Sequence, residues 1–191
     1  MVPSDPAGRH RLFAGAFSDR VRGTRDWEAS APVDGWLARG VVDHLVGWFP
    51  GFLAMGSDVR LPIGPAVVDD PVGAWQTQAD GVQALLDAPG SDELLFSNEH
   101  TGTMPVPIAI DRFYTADVFM HTWDLARATG QDATLDPHFC EELLAGMEQM
   151  EQVIRDSGQF GRRVDVPDTA DAQTRLLGFI GRDPDWVPRP G

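Results

Sequence analysis

The spacing of the apolar residues limits the fold of this chain more than any other feature of its sequence. Apolar side chains recur at three- and four-residue steps over long stretches, as Phe13, Phe17 and Val21 do in the first of them. This spacing predicts helices over about 7–24, 35–56, 70–87, 108–129 and 136–158, and a short last helix over about 170–181. Long helices without alternating strands favour an all-α bundle in which residues 1–191 form one domain.

Local signals mark where these helices begin, end or break. Asp34 is expected to cap the second helix, and Pro50 to kink that helix or end its first half. Gly130 is expected to end the fourth helix, because glycine readily adopts the left-handed backbone found just after helix ends. Between these helices, short apolar runs flank residues 98–102, which predicts a small hairpin or irregular excursion near 90–107.

The charge balance and the scarce residue types exclude several functions. The chain carries 15 basic against 29 acidic residues, and its net charge of −14 repels phosphate backbones and anionic lipid. Neither nucleic acid nor a membrane is therefore expected as a partner. The chain contains no lysine, which excludes Schiff-base enzymes, Walker-type P-loops and Ser–Lys dyads.

The apolar runs and the single cysteine predict where in the cell the protein is located. No apolar run approaches the roughly 18 residues that a membrane span requires, and the N-terminus lacks the apolar segment of a signal peptide. The lone Cys140 excludes an intrachain disulfide and is expected to be a buried apolar residue, not a nucleophile. A cytoplasmic location is the expectation.

The five histidines differ in their sequence surroundings. His10 and His138 lie near the starts of helices and are expected to be exposed to solvent, and His100 lies in the loop between the third and fourth helices. His44 and His121 instead lie within apolar stretches of long helices. These two histidines are therefore the candidates for a site.

Two acidic residues share a helix face with His121. At about 100° per residue, Asp117 and His121 lie about 40° apart, and Asp124 lies about 20° to the other side of Asp117. Burying a carboxylate costs several kcal/mol unless it is paired, hydrogen-bonded or bound to a metal. This helix face therefore needs a partner.

The spacing leaves two interpretations of that partner open. In the first, His121 hydrogen-bonds to a carboxylate, or an acid pairs with Arg127 or Arg112. In the second, His44 from the second helix completes a three-point metal site, since two imidazoles and one carboxylate suit a divalent transition metal with a bound water or thiolate. Spacing alone does not choose between them.

Three strings of the sequence resemble a known family. Residues 36–48 (WLARGVVDHLVGW), 117–130 (DVFMHTWDLARATG) and 176–186 (LLGFIGRDPDW) are similar to strings in the DinB-like metal-binding proteins of actinobacteria. That family is related to the N-terminal domain of mycothiol-dependent maleylpyruvate isomerase. The three strings are spread over nearly the whole chain.

The resemblance implies both a fold and a site. The fold is a DinB-like four-helix bundle, with an additional short C-terminal helix, that holds a divalent transition metal between its helices through His44, Asp117 and His121. Zinc is the first expectation for the metal and nickel the second. Asp124 would orient a ligand or pair with Arg127. Mycothiol, the low-molecular-weight thiol of actinobacteria, is the implied cofactor.

The function expected from the resemblance is that of a mycothiol-dependent transferase or isomerase acting on a small electrophile. The isomerase has Glu where this chain has Asp117, and it carries a second domain for which this chain has no room, so maleylpyruvate isomerisation itself is not expected. His100 is the one residue nominated as a base. The alternative functions are a non-catalytic metal- or ligand-binding bundle and a purely structural bundle. The tryptophans near the site strings are expected to serve packing: Trp36, Trp48 and Trp123.

Overall fold

The computed structural model describes residues 1–156 and 158–188, and over this part of the chain it contains eight α-helices and one β-hairpin. The strands of the hairpin are β1 (Leu95–Asn98) and β2 (Gly102–Pro105). The helices are α1 (Pro6–Gly23), α2 (Ala38–Gly56), α3 (Pro71–Asp87), α4 (Val106–Ala109), α5 (Ala116–Thr129), α6 (Pro137–Glu148), α7 (Glu151–Asp156) and α8 (Ala172–Phe179). A mostly helical chain with a small hairpin inside 90–107 is thereby confirmed.

Aspartate side chains begin four of these helices. Asp5, Asp70, Asp136 and Asp171 each accept a hydrogen bond from the backbone N–H three residues further on. Each bond satisfies one of the donors that a helix start leaves free. At the other end of α5, Gly130 adopts the predicted left-handed backbone, with a φ of 67°.

Four helices pack around the larger core. α1 packs against α3 and α5, and α2 packs against the same two helices. The interior between them is mainly apolar, and the following side chains are almost completely buried: Phe17, Leu45, Phe49, Trp75 and Leu125. A second core forms where α1 and α5 meet α6 and α8, around Phe13, Phe119 and Phe139.

The hairpin covers the C-terminal part of α2. Its two strands pair antiparallel, with Phe96 opposite Met104. Phe96 is fully buried and stacks on Phe52 of α2, the ring centroids lying 4.7 Å apart. The excursion is therefore part of the core. Within residues 1–156 and 158–188, no helix is both long enough and apolar enough to cross a membrane.

The start of α2 differs from the sequence prediction, and of the two effects predicted for Pro50 the ending of the helix does not occur. α2 begins at Ala38 instead of 35, because Ser30 forms an isolated bridge with Leu37 and holds the preceding residues in a turn. Asp34 lies in that turn, so it does not cap the helix, and Leu37 occupies the cap position without a side-chain bond. The helix also continues past Pro50, where buried side chains on both sides keep the turn packed.

The fourth and fifth predicted helices are each divided. The helical run from 106 to 129 contains a six-residue π-helical segment, Ile110–Thr115, between α4 and α5. Such segments add a residue to the turn and are not visible in a period of 3.6. The predicted helix over 136–158 is the pair α6 and α7. Its predicted end at Ser157 lies outside the described residues.

The prediction that His10 is exposed is wrong. His10 has no accessible surface, and its Nδ1 lies 3.2 Å from Oγ1 of Thr115 in the π-helical segment. The reason is its position on α1, where it precedes Phe13 and Phe17 by one and two turns on the same buried stripe. His138, in contrast, is exposed as predicted, and Cys140 is buried.

Candidate metal centre

α2 and α5 bring the three predicted ligands together. Trp36, just before α2, stacks on His121, whereas Trp48 further along α2 reaches Asp117, so the two helices run in opposite directions past each other. His44 Nε2 lies 3.0 Å from Asp117 Oδ2, and His121 Nε2 lies 3.4 Å from Asp117 Oδ1. His44, Asp117 and His121 each offer a ligand atom within 4.8 Å of the others.

The three residues differ in their exposure. The side chain of His121 keeps 6% of its accessible surface and that of Asp117 keeps 17%, whereas that of His44 keeps 31%. The cluster is thus closed on the α5 side and reaches solvent beside His44. A small molecule approaching from solvent would meet His44 first.

A buried ion pair contacts His121 at Nδ1, on the side of the ring away from Asp117. His121 Nδ1 lies 2.8 Å from Oδ2 of Asp124, which has no accessible surface. Arg182, from the segment after α8, donates to both oxygens of Asp124, through Nε at 2.9 Å and Nη2 at 3.0 Å. Burial by itself would raise the pKa of Asp124, but the Arg182 guanidinium and the His121 ring together lower it. Asp124 is therefore a carboxylate that only accepts hydrogen bonds.

The Asp124 carboxylate fixes how His121 meets Asp117. Because Asp124 only accepts, Nδ1 of His121 carries the proton of that hydrogen bond and Nε2 of a neutral ring presents its lone pair to Asp117. Two acceptor atoms then face each other at 3.4 Å. A cation removes this repulsion, either a metal ion or the second proton of an imidazolium. The carboxylate–histidine pair is the arrangement that orients histidine ligands in metal sites, so these residues fit a divalent ion.

Two tryptophans border the cluster. Trp36 stacks on His121, with centroids 5.7 Å apart, and lies 5.0 Å from the His44 ring. Trp48 donates its indole N–H to Asp117 Oδ2 at 3.0 Å. The packing role predicted for Trp123 is confirmed by its burial, but Trp48 also contacts the site. Its spacing four residues after His44, on one face of α2, is the signal that sequence reasoning missed.

Of the two roles predicted for Asp124, the structure shows the contact with His121 and not the pairing with Arg127. Arg127 donates to the backbone carbonyl of Trp186 and lies over the Trp123 ring, 5.7 Å from its centroid. The ion pair of Asp124 is with Arg182, 58 residues away in sequence, which no local spacing reveals. Arg127 thus fastens the tail after α8 to α5, while Arg182 from the same tail supports His121.

The other nominated residues lie apart from the cluster. His100 lies in the hairpin turn with 81% of its side chain exposed, and its Nε2 is 3.3 Å from Glu99. Burial raises the pKa of the Cys140 thiol to about 12, so this cysteine is a poor nucleophile at neutral pH. In the part of the chain that the structure describes, His44, Asp117 and His121 form the group that could hold a metal ion.

Fold and site together define a mostly helical protein with a His–Asp–His cluster between two antiparallel helices. The chain belongs to the same family as two proteins of Mycobacterium tuberculosis, "Uncharacterized protein MT0763" from strain CDC 1551 / Oshkosh and "Uncharacterized protein Rv0738" from strain ATCC 25618 / H37Rv. Each is 30% identical over 183 residues, which are 93% of this chain and 98% of the relative. No family model matches the chain, and no solved structure matches it.

Proposed function

We propose that this protein binds one divalent transition-metal ion, zinc or nickel, through His44, Asp117 and His121. The observation that carries the proposal is the hydrogen bond from His121 to the buried Asp124 carboxylate, which turns the lone pair of His121 Nε2 toward Asp117. A histidine that serves packing alone needs no such orientation. The donor set of two imidazoles and one carboxylate is typical of zinc, nickel and related ions.

We also propose that the fold is a DinB-like four-helix bundle. The mutual packing of α1, α2, α3 and α5, each against two of the others, supports this assignment. So does the resemblance of the strings at 36–48 and 117–130, which supply the three ligands.

The reaction class that we propose is thiol-dependent transfer or isomerisation of a small electrophile, with mycothiol as the thiol. A divalent ion in this cluster would lower the pKa of a coordinated thiol or water and make it a nucleophile near neutral pH. The residues supply one net negative charge, from Asp117, because Arg182 neutralises Asp124. One monoanionic ligand would then balance a divalent ion. A cytoplasmic location, where small thiols stay reduced, fits this chemistry.

Metal analysis tests the proposed site directly. Protein purified without a histidine tag or chelator is analysed by inductively coupled plasma mass spectrometry, and about one equivalent of a transition metal is expected. The variant His121→Ala is expected to lose it. The matched control His138→Ala removes an exposed histidine and is expected to retain the metal. Wild-type protein that is metal-free and takes up neither zinc nor nickel would leave only a structural bundle.

The position of His100 favours a second candidate function, a metal- or ligand-binding protein without turnover. The nominated base lies on an exposed turn beside Glu99 and does not join the cluster. Turnover assays of metal-loaded protein with mycothiol and small electrophiles separate the two functions. Activity that is lost in His44→Ala supports the enzyme, and bound metal without any turnover supports the second candidate.

A further inference from the structure

We infer that Trp48 is a positioning residue for the Asp117 carboxylate: its indole N–H holds Oδ2, so that Oδ1 is the oxygen presented to His121. This inference rests on the proposed metal site. The side chain of Trp48 would orient the Asp117 carboxylate, a role that the spacing of the ligands alone does not reveal. The three contacts of the Asp117 carboxylate carry the inference.

The two oxygens of Asp117 have different surroundings. Oδ2 lies 3.0 Å from Trp48 Nε1 and 3.0 Å from His44 Nε2, whereas Oδ1 lies 3.4 Å from His121 Nε2. An imidazole nitrogen must give up its proton to bind a metal ion, so the contact from His44 cannot persist as a donated hydrogen bond when the ion is bound. An indole N–H is only a donor and keeps its proton. Trp48 therefore remains on Oδ2 in both states.

The Trp48 ring is fixed by its aromatic neighbours. Phe49 and Phe52 pack edge-on against it, with ring centroids at 5.4 and 5.5 Å, and Tyr114 does so at 6.0 Å. Tyr114 is fully buried and belongs to the π-helical segment immediately before α5. The half-buried indole is thus held mainly by rings of the core, with His44 as a further ring neighbour at 6.1 Å. A donor held in this way can orient a carboxylate that would otherwise rotate about its side-chain bonds.

The hydrogen bond from Trp48 would limit how many protein atoms bind the ion. A carboxylate bound through one oxygen gives, with two imidazoles, three protein ligands and leaves a position for an external ligand, as in catalytic zinc sites. A carboxylate free to turn can offer both oxygens and fill that position. By engaging Oδ2, Trp48 keeps Asp117 to one oxygen. The site then retains room for the thiol or water that the proposed chemistry requires.

The test compares Trp48→Phe with Trp75→Phe in the full chain. Both substitutions keep an aromatic ring and remove an indole hydrogen bond, since Trp75 Nε1 donates to Ser18 Oγ at 2.8 Å inside the core. Dissociation constants for Zn²⁺ are measured by competition with a chromophoric chelator. Loss of an outer hydrogen bond to a ligand typically weakens metal binding about 10- to 100-fold, and that rise is expected for Trp48→Phe. Trp75→Phe is expected to bind like the wild type.

Cobalt gives a second readout that a purely structural role would not change. The visible bands of Co²⁺ bound to the wild type are expected to respond to 2-mercaptoethanol, and this response is expected to be lost or reduced in Trp48→Phe. If Trp48→Phe does not fold, the wild type still tests the inference through the indole N–H resonance of Trp48 in ¹⁵N-tryptophan-labelled protein. That resonance is expected to exchange slowly with solvent both before and after Zn²⁺ is added.

The outcomes separate this inference from the proposed function. Wild-type protein that binds neither ion overturns both. Wild-type protein that binds metal while Trp48→Phe has the same dissociation constant and cobalt spectrum overturns the inference alone. An indole N–H of Trp48 that exchanges as fast as an exposed one also overturns it alone.

Discussion

The ion pair between Asp124 and Arg182 makes a quantitative prediction about stability. Asp124 has no accessible surface and the Arg182 side chain keeps 13% of its own, so the substitution Arg182→Met leaves a buried carboxylate with His121 as its remaining hydrogen-bond partner. Breaking a buried pair by removing one partner typically costs about 3–5 kcal/mol. We expect a loss of that size in the free energy of unfolding.

The assay is urea unfolding of metal-free protein in the presence of chelator, followed by circular dichroism and extrapolated linearly to water. Arg11→Met is the matched control. Arg11 pairs with Asp87 at 2.7 Å, but the two side chains are 58% and 45% exposed, so this substitution is expected to cost less than about 1 kcal/mol. Equal losses in the two variants would refute the argument that burial makes the Arg182 pair matter.

A double variant separates the lost charge from the lost packing. In Arg182→Met combined with Asp124→Leu, no buried carboxylate is left unpaired, and the main deficit is the Nδ1–H of His121, whose lost acceptor costs about 1–3 kcal/mol. The double variant is therefore expected to be more stable than Arg182→Met alone. If the two losses simply add, the unpaired carboxylate is not the cause.

Three further predictions concern His10, Cys140 and Gly181. Burial lowers the pKa of His10 from 6.5 to about 4, so as the pH falls the unfolded chain binds a proton there before the folded chain does. The contribution of His10 is expected to lower the free energy of unfolding by about 3 kcal/mol between pH 7 and pH 4. Urea unfolding at each pH is therefore expected to show a smaller decrease in His10→Gln than in the wild type. Cys140 is expected to react with Ellman's reagent only after denaturation, since its pKa is raised to about 12; rapid reaction of native protein would contradict this. Gly181→Ala is expected to cost at least about 2 kcal/mol, because φ is 82° and the new Cβ would lie 2.6 Å from the Gly161 backbone. Gly51→Ala, which meets nothing within 4 Å, is the control and is expected to stabilise α2 by about 0.5–1 kcal/mol.

Local features of the fold are predictable from the sequence, and features that depend on distant contacts are not. The caps at Asp70 and Asp136 and the end at Gly130 follow from chemistry within four residues. The π-helical segment over 110–115 does not, because a helical period of 3.6 gives no sign of an extra residue in one turn. The continuation of α2 past Pro50 does not follow either, because packing on both sides of the helix outweighs the hydrogen bond that proline removes.

The same difference between local spacing and distant contacts applies to the residues of the candidate site. Asp117 and His121 are one helical turn apart, and His44 is singled out by its apolar surroundings, so the three proposed ligands are all named without a structure. Arg182 is not found, because its partner on α5 is 58 residues away and only the tertiary fold brings the two together. Trp48 could have been predicted from its spacing four residues after His44. An indole in an apolar stretch, however, is interpreted as packing unless its N–H partner is known.

The proposed site is assembled from three distant parts of the chain, which would link the binding of a metal ion there to folding. α2 supplies His44 and Trp48, α5 supplies Asp117 and His121, and the tail after α8 supplies Arg182. Isolated helices cannot hold these contacts, so an ion that binds here binds only the folded chain. At a concentration 100 times its dissociation constant, such an ion adds about 2.7 kcal/mol to the free energy of unfolding. That gain is the same for a catalytic and a non-catalytic site, so stability measurements detect a bound ion and turnover alone identifies an enzyme.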